Sequence, residues 1–445
     1  MDNEYLIKER PIKAITVFAI PLMLAAFFQQ FYTLADSAIV ARFVSEKALA
    51  AIGASYALTN VFISIAIGAG TGSGVIISRY YGAHDYHMTK NSTKISLISF
   101  LALSIMLALI GLIFSEDILV LLNTPYDILS DAKAYLDIYF MGLPFLFCYN
   151  ALSSCYNALG RSRYPLFFLI FSSILNIILD LVAVIVFDMG LVGAAWATLV
   201  SQALSALLSF ILLVRLLKKL DSSAFGPFSF SELKKMSAIA LPSILQQSTV
   251  SIGMMLVQGV INSFGSAILA GYSAAMRLES IATVPFTSLG NAASSYAAQN
   301  IGAKKTERIK SGYNAMVVLT VIFSLLIFIT FNLFKPLLIS IFIEENSIEA
   351  YETANQFFVY ITPVFVFIGL KMITDGILKA SGNVVPFTIA NIVNLSIRVA
   401  LSYLLAPVIG FSICYMAVPL GWIANFMISG SIYFSGRWKR KLGMD

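Results

Sequence analysis

Two carboxylates, an amide and a hydroxyl interrupt long apolar stretches of this sequence. Asp36 lies near the end of an apolar run that begins at Ile12, and Asp180 lies in a later one. Asn176 precedes Asp180 by four residues and so shares its helix face, and Thr198 follows in the next run. Oxygen ligands of these types suit a hard cation such as Na⁺, and two close carboxylates can equally share a proton. The residue types predict a site for Na⁺ or H⁺.

The composition is that of a membrane protein. Of the 445 residues, 59% are hydrophobic and 12% are charged, which is more apolar than a soluble domain requires. Apolar runs long enough to cross a bilayer predict an all-α polytopic membrane protein with twelve transmembrane helices. The predicted spans are 14–40, 48–79, 93–115, 130–157, 165–187, 192–216, 236–263, 266–301, 312–334, 353–380, 384–407 and 413–435. An acid at bilayer depth is costly and normally faces protein or water on a transport pathway.

The basic residues predict the orientation. Most of the 29 Lys and Arg residues fall on the side of the two termini, whereas Arg42, Lys47, Lys133 and Lys335 fall on the other. By the positive-inside rule we expect a multi-pass protein of the inner (plasma) membrane with both termini cytoplasmic. The acidic start, MDNEYLIKER, is unlike a cleaved signal. The net charge of +6 is then a topology signal, and no nucleic-acid partner is expected.

The sequence consists of two copies of one pattern. Pro21 aligns with Pro242, and GAHDYHMTK from Gly82 aligns with GAKKTERIK from Gly302. Six spans per copy predict two six-helix lobes related by a pseudo-two-fold axis along the membrane normal, a layout typical of transporters. The predicted domains are an N-terminal lobe at 1–220, a cytoplasmic linker at 221–235 and a C-terminal lobe at 236–445.

Several segments carry a resemblance to a known family. IPLMLAAFFQQFYTLADSAIVARFV, ALAAIGAS, NALGRSRYP and AAQNIGAKKTERI, in a chain of six plus six spans, resemble the MATE (multidrug and toxin extrusion) family over essentially the whole length. Within it the pattern is similar to the DinF-like and MepA-like branch. The resemblance implies an antiporter that exports organic, often cationic, amphiphilic drugs in exchange for Na⁺ or H⁺. It also implies that Asp36, Asn176, Asp180 and Thr198 form the cation site.

The second copy lacks these acids. Arg398 takes the place of Asp180, and Val257 or its neighbour takes the place of Asp36. Other branches of the family place an acid in the seventh helix, where this chain has Gln246 and Gln247. Whether the C-terminal lobe holds a second ion site stays open.

A hinge and a substrate cavity follow from further residues. Pro21 cannot complete the hydrogen-bond ladder of the first span and is the predicted flexing point. Flexible methionines and aromatics suit binding of varied hydrophobic cations, although lipid contact or packing within a lobe is the commoner role of any one such residue. The candidates are Gln29, Gln30, Tyr32, Met141, Met254, Met255, Gln258, Met276, Arg277 and Glu279.

Other interpretations of the charges stay open. Asp36 could cap the outer end of the first helix, and Asp180 could hold a nearby loop. Arg398 could pair with Glu279 or contact substrate, and Asp375 lies four residues from both Lys371 and Lys379 in a predicted helical charge ladder.

The function predicted is a cation-coupled multidrug efflux antiporter working by alternating access, and the alternative is a lipid or polysaccharide-precursor flippase. No nucleotide-binding or metalloenzyme motif is present, so neither an enzyme nor a cofactor is expected. The coupling ion is H⁺ or Na⁺. We expect a monomer whose partners are small drug-like molecules and the lipid bilayer.

Overall fold

The computed structural model describes residues 4–122, 124–220, 224–343, 347–440 and 442. Nearly all of these residues are helical, and no β-strand occurs among them. The helices are α1 (Tyr5–Lys8), α2 (Pro11–Phe43), α3 (Glu46–Gly82), α4 (Tyr86–Leu121), α5 (Tyr126–Ala158), α6 (Arg163–Leu181), α7 (Gly190–Leu220), α8 (Phe230–Asn262), α9 (Ser266–Ala282), α10 (Val284–Gly302), α11 (Thr306–Ser340), α12 (Ile348–Ile361), α13 (Phe365–Ala380), α14 (Val384–Ile409), α15 (Ser412–Phe434) and α16 (Arg437–Arg440). A π-helical turn, Val182–Val186, follows α6. The prediction of an all-α polytopic membrane protein is confirmed.

Eleven helical segments within the described residues are long and apolar enough to cross a membrane. They correspond to eleven of the twelve predicted spans, and one of them, Ile348–Ala380, consists of α12 and α13 joined by a 3₁₀ turn at Thr362–Val364. The remaining span, predicted as one helix at 266–301, is two shorter helices, because α9 ends at Ala282 and α10 begins at Val284. Pro285 lies in the first turn of α10, where a missing N–H group breaks no helical hydrogen bond.

The chain divides into two compact units. The N-terminal unit comprises residues 24–244, and the C-terminal unit comprises residues 245–445 together with 1–23. Both α2 and α8 contribute to each unit, and in each case the division falls two residues after a proline, Pro21 or Pro242. Of the predicted linker, 221–223 lie outside the described residues. The predicted lobes at 1–220 and 236–445 stay a prediction.

In the N-terminal unit, α3, α4 and α7 pack against α5. Phe140 of α5 is fully buried, with its ring centroid 5.5 Å from that of Phe62. A Cβ atom at Gly111 of α4 would lie 2.4 Å from the Phe140 ring, so only glycine allows this approach. The unit therefore has a close-packed apolar centre that holds α5 and its neighbours in register.

The first half of α8 also belongs to the N-terminal unit. It crosses α3 at Gly68 and Gly72, where an added Cβ would lie 2.6 Å from the backbone of Ile244 or 2.5 Å from the carbonyl oxygen of Met236. The segment before it is held by Lys94, whose ammonium group donates to the carbonyl oxygen of residue 226 at 3.0 Å. Small residues thus allow α3 and α8 to touch by backbone.

In the C-terminal unit, α13 packs against α10 and α15. A Cβ atom at Gly376 would lie 2.4 Å from the carbonyl oxygen of Gly290, which shows how closely α10 and α13 approach. Aromatic rings fill the centre, with Phe411 and Tyr415 at 4.6 Å and Phe357 and Tyr415 at 5.7 Å between centroids. Most of these rings meet edge to face, the geometry that aromatic pairs favour.

The N-terminal segment packs on this same unit. Leu6 and Ile7 are buried. The amide of Asn300 donates to the Leu6 carbonyl oxygen at 3.1 Å, and the Arg308 guanidinium donates to the carbonyl oxygen of Glu9 and to the Asn300 side-chain oxygen. Carbonyl groups ahead of α2 are therefore satisfied by side chains of α10 and α11.

Candidate cation site

The four residues predicted to bind a cation lie in the N-terminal unit, on three helices. Asp36 is on α2, Asn176 and Asp180 are on α6, and Thr198 is on α7. Asp180 is 0% exposed and Asn176 1% exposed, whereas Asp36 is half-buried. The arrangement joins polar groups from three helices that are otherwise apolar.

Asn176 connects the set. With its nitrogen towards Asp180, its amide donates to Oδ2 of Asp180 at 2.9 Å and to the Tyr32 hydroxyl at 3.0 Å. Its oxygen then accepts from the Thr198 hydroxyl at 3.2 Å and from the Thr198 N–H at 3.1 Å. In the opposite orientation its oxygen would face the carboxylate, an acceptor against an acceptor. Tyr32, a predicted substrate residue, is therefore in direct contact with the predicted cation site.

The two carboxyl groups lie within hydrogen-bonding reach of each other. Such a bond requires that one of them carry a proton, because two carboxylates offer acceptors only. Oδ1 of Asp180 is buried and accepts no hydrogen bond from the described residues. A buried, unpartnered carboxylate oxygen beside a second carboxyl group is an arrangement that a proton or a small hard cation would complete.

The local backbone explains how Asp180 is presented. The α-helix ends at Leu181, one residue after Asp180, and continues as the π-helical turn Val182–Val186. Such turns are uncommon and occur frequently at functional sites. Next to Thr198 the structure contains a cavity of about 30 Å³ between α5 and α7, bordered by Tyr135, Tyr139 and Gln202. This space is large enough for a water molecule.

Tyr135 was not predicted to belong to the site. Its hydroxyl group is close enough to Asp36 and Asp180 to interact with both electrostatically. It lies in the N-terminal third of α5, a helix that contains several other aromatic residues. One tyrosine among 20 gives no signal in the sequence, because its proximity to the acids depends on how α5 packs.

A comparison with known families identifies the fold. The MatE family matches the chain twice, at residues 21–182 and at residues 242–404. The chain belongs to the MATE family. The two matches begin at Pro21 and Pro242, the prolines that align in the internal repeat. The predicted family is thereby confirmed, and members of this family are membrane transporters.

Several relatives of this MATE protein have names that concern drug transport. It is 29% identical to "Probable multidrug resistance protein YpnP" of Bacillus subtilis (strain 168), over 96% of each chain. It is 24% identical to "Multidrug export protein MepA" of Staphylococcus saprophyticus, over 85% of this chain and 83% of that one. A crystal structure of a MATE protein in its bent conformation has the same fold, with a TM-score of 0.91 at 23% identity over 100% and 99% of the two chains.

The predicted substrate residues of this MATE protein fall in both units. Gln29, Gln30, Tyr32 and Met141 lie in the N-terminal unit, where Gln29 and Met141 are exposed. The C-terminal unit contains the other six, which are Met254, Met255, Gln258, Met276, Arg277 and Glu279. Met254 and Met255 are exposed, while Met276 packs against the apolar core of its unit. Their role in binding substrate stays a prediction.

Glu279 and Arg277 have separate surroundings, because residues two apart in a helix lie on different faces. Glu279 is buried and interacts electrostatically with Arg398, its predicted partner. Arg398 also interacts electrostatically with the Tyr272 hydroxyl. Arg277 is exposed, with its guanidinium 6.0 Å from the Phe342 ring centroid. Where the N-terminal unit has Asp180, the C-terminal unit therefore has a fixed positive charge near its own acid.

Asp375 has more partners than the two lysines that the sequence predicts. Lys371 and Lys379 both act on the Asp375 carboxylate. The Ser429 hydroxyl also donates to its Oδ1 at 2.6 Å, and the Asn391 amide donates to its Oδ2 at 3.2 Å. Spacing within one helix could reveal the lysines but not these partners on α14 and α15.

Proposed function

We propose that this protein is a cation-coupled multidrug efflux antiporter. The observation that carries the proposal is the pair of carboxyl groups, Asp36 and Asp180, held together with Asn176, Thr198 and Tyr32 inside membrane-spanning helices. Buried acids of this kind normally mark an ion pathway. The relatives named as multidrug resistance and export proteins support organic, often cationic, amphiphilic substrates.

The hydrogen bonds around Asn176 give the site two self-consistent arrangements. With a proton shared between the acids, the amide nitrogen faces Asp180 and the Thr198 hydroxyl donates to the amide oxygen. When a cation binds, the amide turns its oxygen towards the acids, its nitrogen donates to the Thr198 hydroxyl, and that hydroxyl donates to the Ala194 carbonyl oxygen 3.1 Å away. The Asn176 amide group and the Thr198 hydroxyl therefore either form a hydrogen bond or face the acids in both arrangements, which is why the proposal keeps both H⁺ and Na⁺ as coupling ions.

Coupling follows if cation binding favours one state of the transporter. The site contains Asp36 of α2, and α2 passes from one unit to the other just after Pro21. A cation that binds one state more tightly shifts the population towards that state, and drug bound to the other state is then released. Pro21 supplies the flexing point, since it leaves a gap in the helical hydrogen bonds.

The proposal includes a location in the inner membrane with both termini cytoplasmic. The support is the excess of Lys and Arg on the side of the termini. A monomer suffices, because the four cation-site residues belong to one unit of one chain.

The decisive experiment is ethidium efflux from energised cells at matched membrane levels, with Na⁺ present or replaced by K⁺. We expect Asp36→Asn to abolish efflux and the exposed Asp127→Asn to leave it intact. Equal pumping by Asp36→Asn would make Asp36 a structural cap. If wild type moves neither ethidium nor other cationic dyes, the flippase becomes the better candidate, and uptake of labelled lipid precursors tests it.

A further inference from the structure

A cavity of about 230 Å³ lies in the C-terminal unit. It is formed by the first turns of α11, the end of α15 and the residues that follow α15. It is far from the cation site in sequence, and none of the predicted substrate residues borders it. Its border combines two lysines, Lys310 and Lys439, an amide, Asn314, and the rings of Tyr313, Tyr433 and Trp438. This composition is amphiphilic and therefore suggests a ligand that is itself amphiphilic.

Stacked aromatic rings form a preformed wall of the cavity. The Tyr313 and Tyr433 ring centroids are 4.3 Å apart, and the Tyr433 and Trp438 rings are nearly parallel at 6.0 Å. Trp438 is 3% exposed, and its carbonyl oxygen accepts from the Asn383 amide at 3.1 Å. Gly436, with φ of 71°, allows the chain to turn sharply so that α16 returns against the end of α15. The wall is thus fixed before any ligand arrives.

The charges of the cavity favour an anion. Neither Lys310 nor Lys439 forms an ion pair with a carboxylate of the described residues, although Lys439 lies 5.9 Å from the Trp438 ring centroid. One carboxylate, Glu307, borders the same space. Two ammonium groups against one carboxylate leave a net positive charge, and an anionic group carrying several oxygens could contact both lysines.

The opposite border of the cavity is apolar and exposed. Phe434, the last residue of α15, lines the cavity and is 67% exposed. A ring at the end of a membrane-spanning helix, next to lysines and tyrosines, lies where acyl chains meet headgroups. A free phosphate ion would make no favourable contact with such an apolar surface, whereas the acyl chains of a lipid would pack against it.

We propose that this cavity binds the headgroup of an anionic phospholipid, with its phosphate between Lys310 and Lys439 and its acyl chains leaving past Phe434. The proposal uses the cytoplasmic orientation of the termini given under the proposed function, since basic pockets between helices on that side bind anionic headgroups. It requires neither drug export nor ion coupling.

The test is lipid binding by the purified full-length protein, measured as retained adducts in native mass spectrometry and as a shift in the thermal midpoint. The probes are short-chain phosphatidylglycerol, short-chain phosphatidylcholine and glycerol 3-phosphate. We expect Lys310→Gln/Lys439→Gln to bind phosphatidylglycerol about thirty-fold more weakly than wild type, since each lysine near an anionic surface adds roughly fivefold in affinity. The matched control is Lys218→Gln/Lys219→Gln, two exposed lysines at the end of α7 in the N-terminal unit.

Glu307→Gln gives a change in the opposite direction. Removing its negative charge should strengthen phosphatidylglycerol binding by about fivefold. The proposal is overturned if the control variant loses as much binding as the double variant, if phosphatidylcholine or glycerol 3-phosphate binds as tightly as phosphatidylglycerol, or if Glu307→Gln weakens binding. None of these outcomes bears on ethidium efflux, so the two proposals can fail separately.

Discussion

The Asn176 amide nitrogen donates to Oδ2 of Asp180 at 2.9 Å, one helical turn along α6, while its oxygen faces Thr198 on α7. A single side chain therefore connects the buried acid of one helix to the hydroxyl of the next. The orientation of the Asn176 amide therefore depends on whether Asp180 shares a proton or binds a cation. This dependence motivates the first two predictions.

Asp180→Asn should remove cation dependence from transport. The substitution keeps the shape of the side chain but removes its charge, so the acids can no longer compete for H⁺ and Na⁺. Coupling energies typically correspond to about 5- to 150-fold, and we expect a loss of cation-stimulated efflux within that range. Efflux from energised cells with Na⁺ or K⁺ measures it. Full retention of the cation dependence would rule out the paired-carboxylate site.

Thr198→Val should weaken apparent cation affinity by about fivefold, the equivalent of one hydrogen bond. In the cation-bound arrangement the hydroxyl is the acceptor for the Asn176 amide nitrogen, whereas in the other arrangement the amide oxygen accepts from the Thr198 N–H as well, so loss of the hydroxyl costs more when a cation is bound. Thr198→Ser keeps the hydroxyl and is the matched control. The measurement is the cation concentration that gives half-maximal efflux, and equal values for the valine and serine variants would contradict the role of the hydroxyl.

Pro21→Ala should slow transport while making the protein more stable. Alanine restores the missing hydrogen bond within α2, and a proline inside a helix costs about 3 kcal/mol. We expect a higher thermal midpoint together with reduced efflux and unchanged cation affinity. Transport at the wild-type rate would remove the hinge from the mechanism. Pro242→Ala, at the repeated position in α8, shows whether the second proline matters equally.

Gly68→Ala should destabilise the N-terminal unit. The new methyl group would lie 2.6 Å from the Ile244 backbone, and overpacking of this kind costs about 1–3 kcal/mol. Gly53→Ala in the same helix is the control, because nothing lies within 4 Å of its added Cβ atom and alanine is the better helix former. Thermal unfolding in detergent compares them. A lower midpoint for Gly53→Ala than for Gly68→Ala would show that the close approach of α3 and α8 is not limiting.

Arg308→Gln should release the N-terminal segment. The guanidinium contacts the carbonyl oxygen of Glu9 and the Asn300 side chain, and a shorter neutral side chain cannot reach both. Without this anchor the segment should open more often, so the amide hydrogens of residues 5–10 should exchange severalfold faster. Lys304→Gln, at an exposed position in the turn that precedes α11, should leave the exchange unchanged. Unchanged exchange in both variants would mean that buried Leu6 and Ile7 alone hold the segment.

Much of the fold could be predicted because hydrophobic length determines where a chain crosses a bilayer. The exception, 266–301, shows the limit, since apolar length cannot reveal the interruption at Thr283. Pro285 was visible in the sequence, but proline also occurs within continuous helices such as α2 and α14. Sequence alone therefore does not distinguish a proline that begins a helix from a proline inside one.

The candidate site was predictable in part for a similar reason. Acids in apolar runs stand out, so Asp36 and Asp180 could be found, and the helical spacing added Asn176. Tyr32 and Tyr135 could not be assigned to the cation site, because tyrosines are common in this chain and their approach to the acids depends on contacts between helices. Polar partners on other helices, such as Ser429 for Asp375, escape prediction in the same way.

The sharing of α2 and α8 between the units bears on how such a chain could have arisen. If a single copy of the repeat once formed a dimer, each subunit would have given the first half of its first helix to its partner, which is a domain swap. Fusion of two such copies would then preserve the swap within one polypeptide. Separately expressed halves, cut within the segment between α7 and α8, should for the same reason be unable to complete either unit unless they are present together.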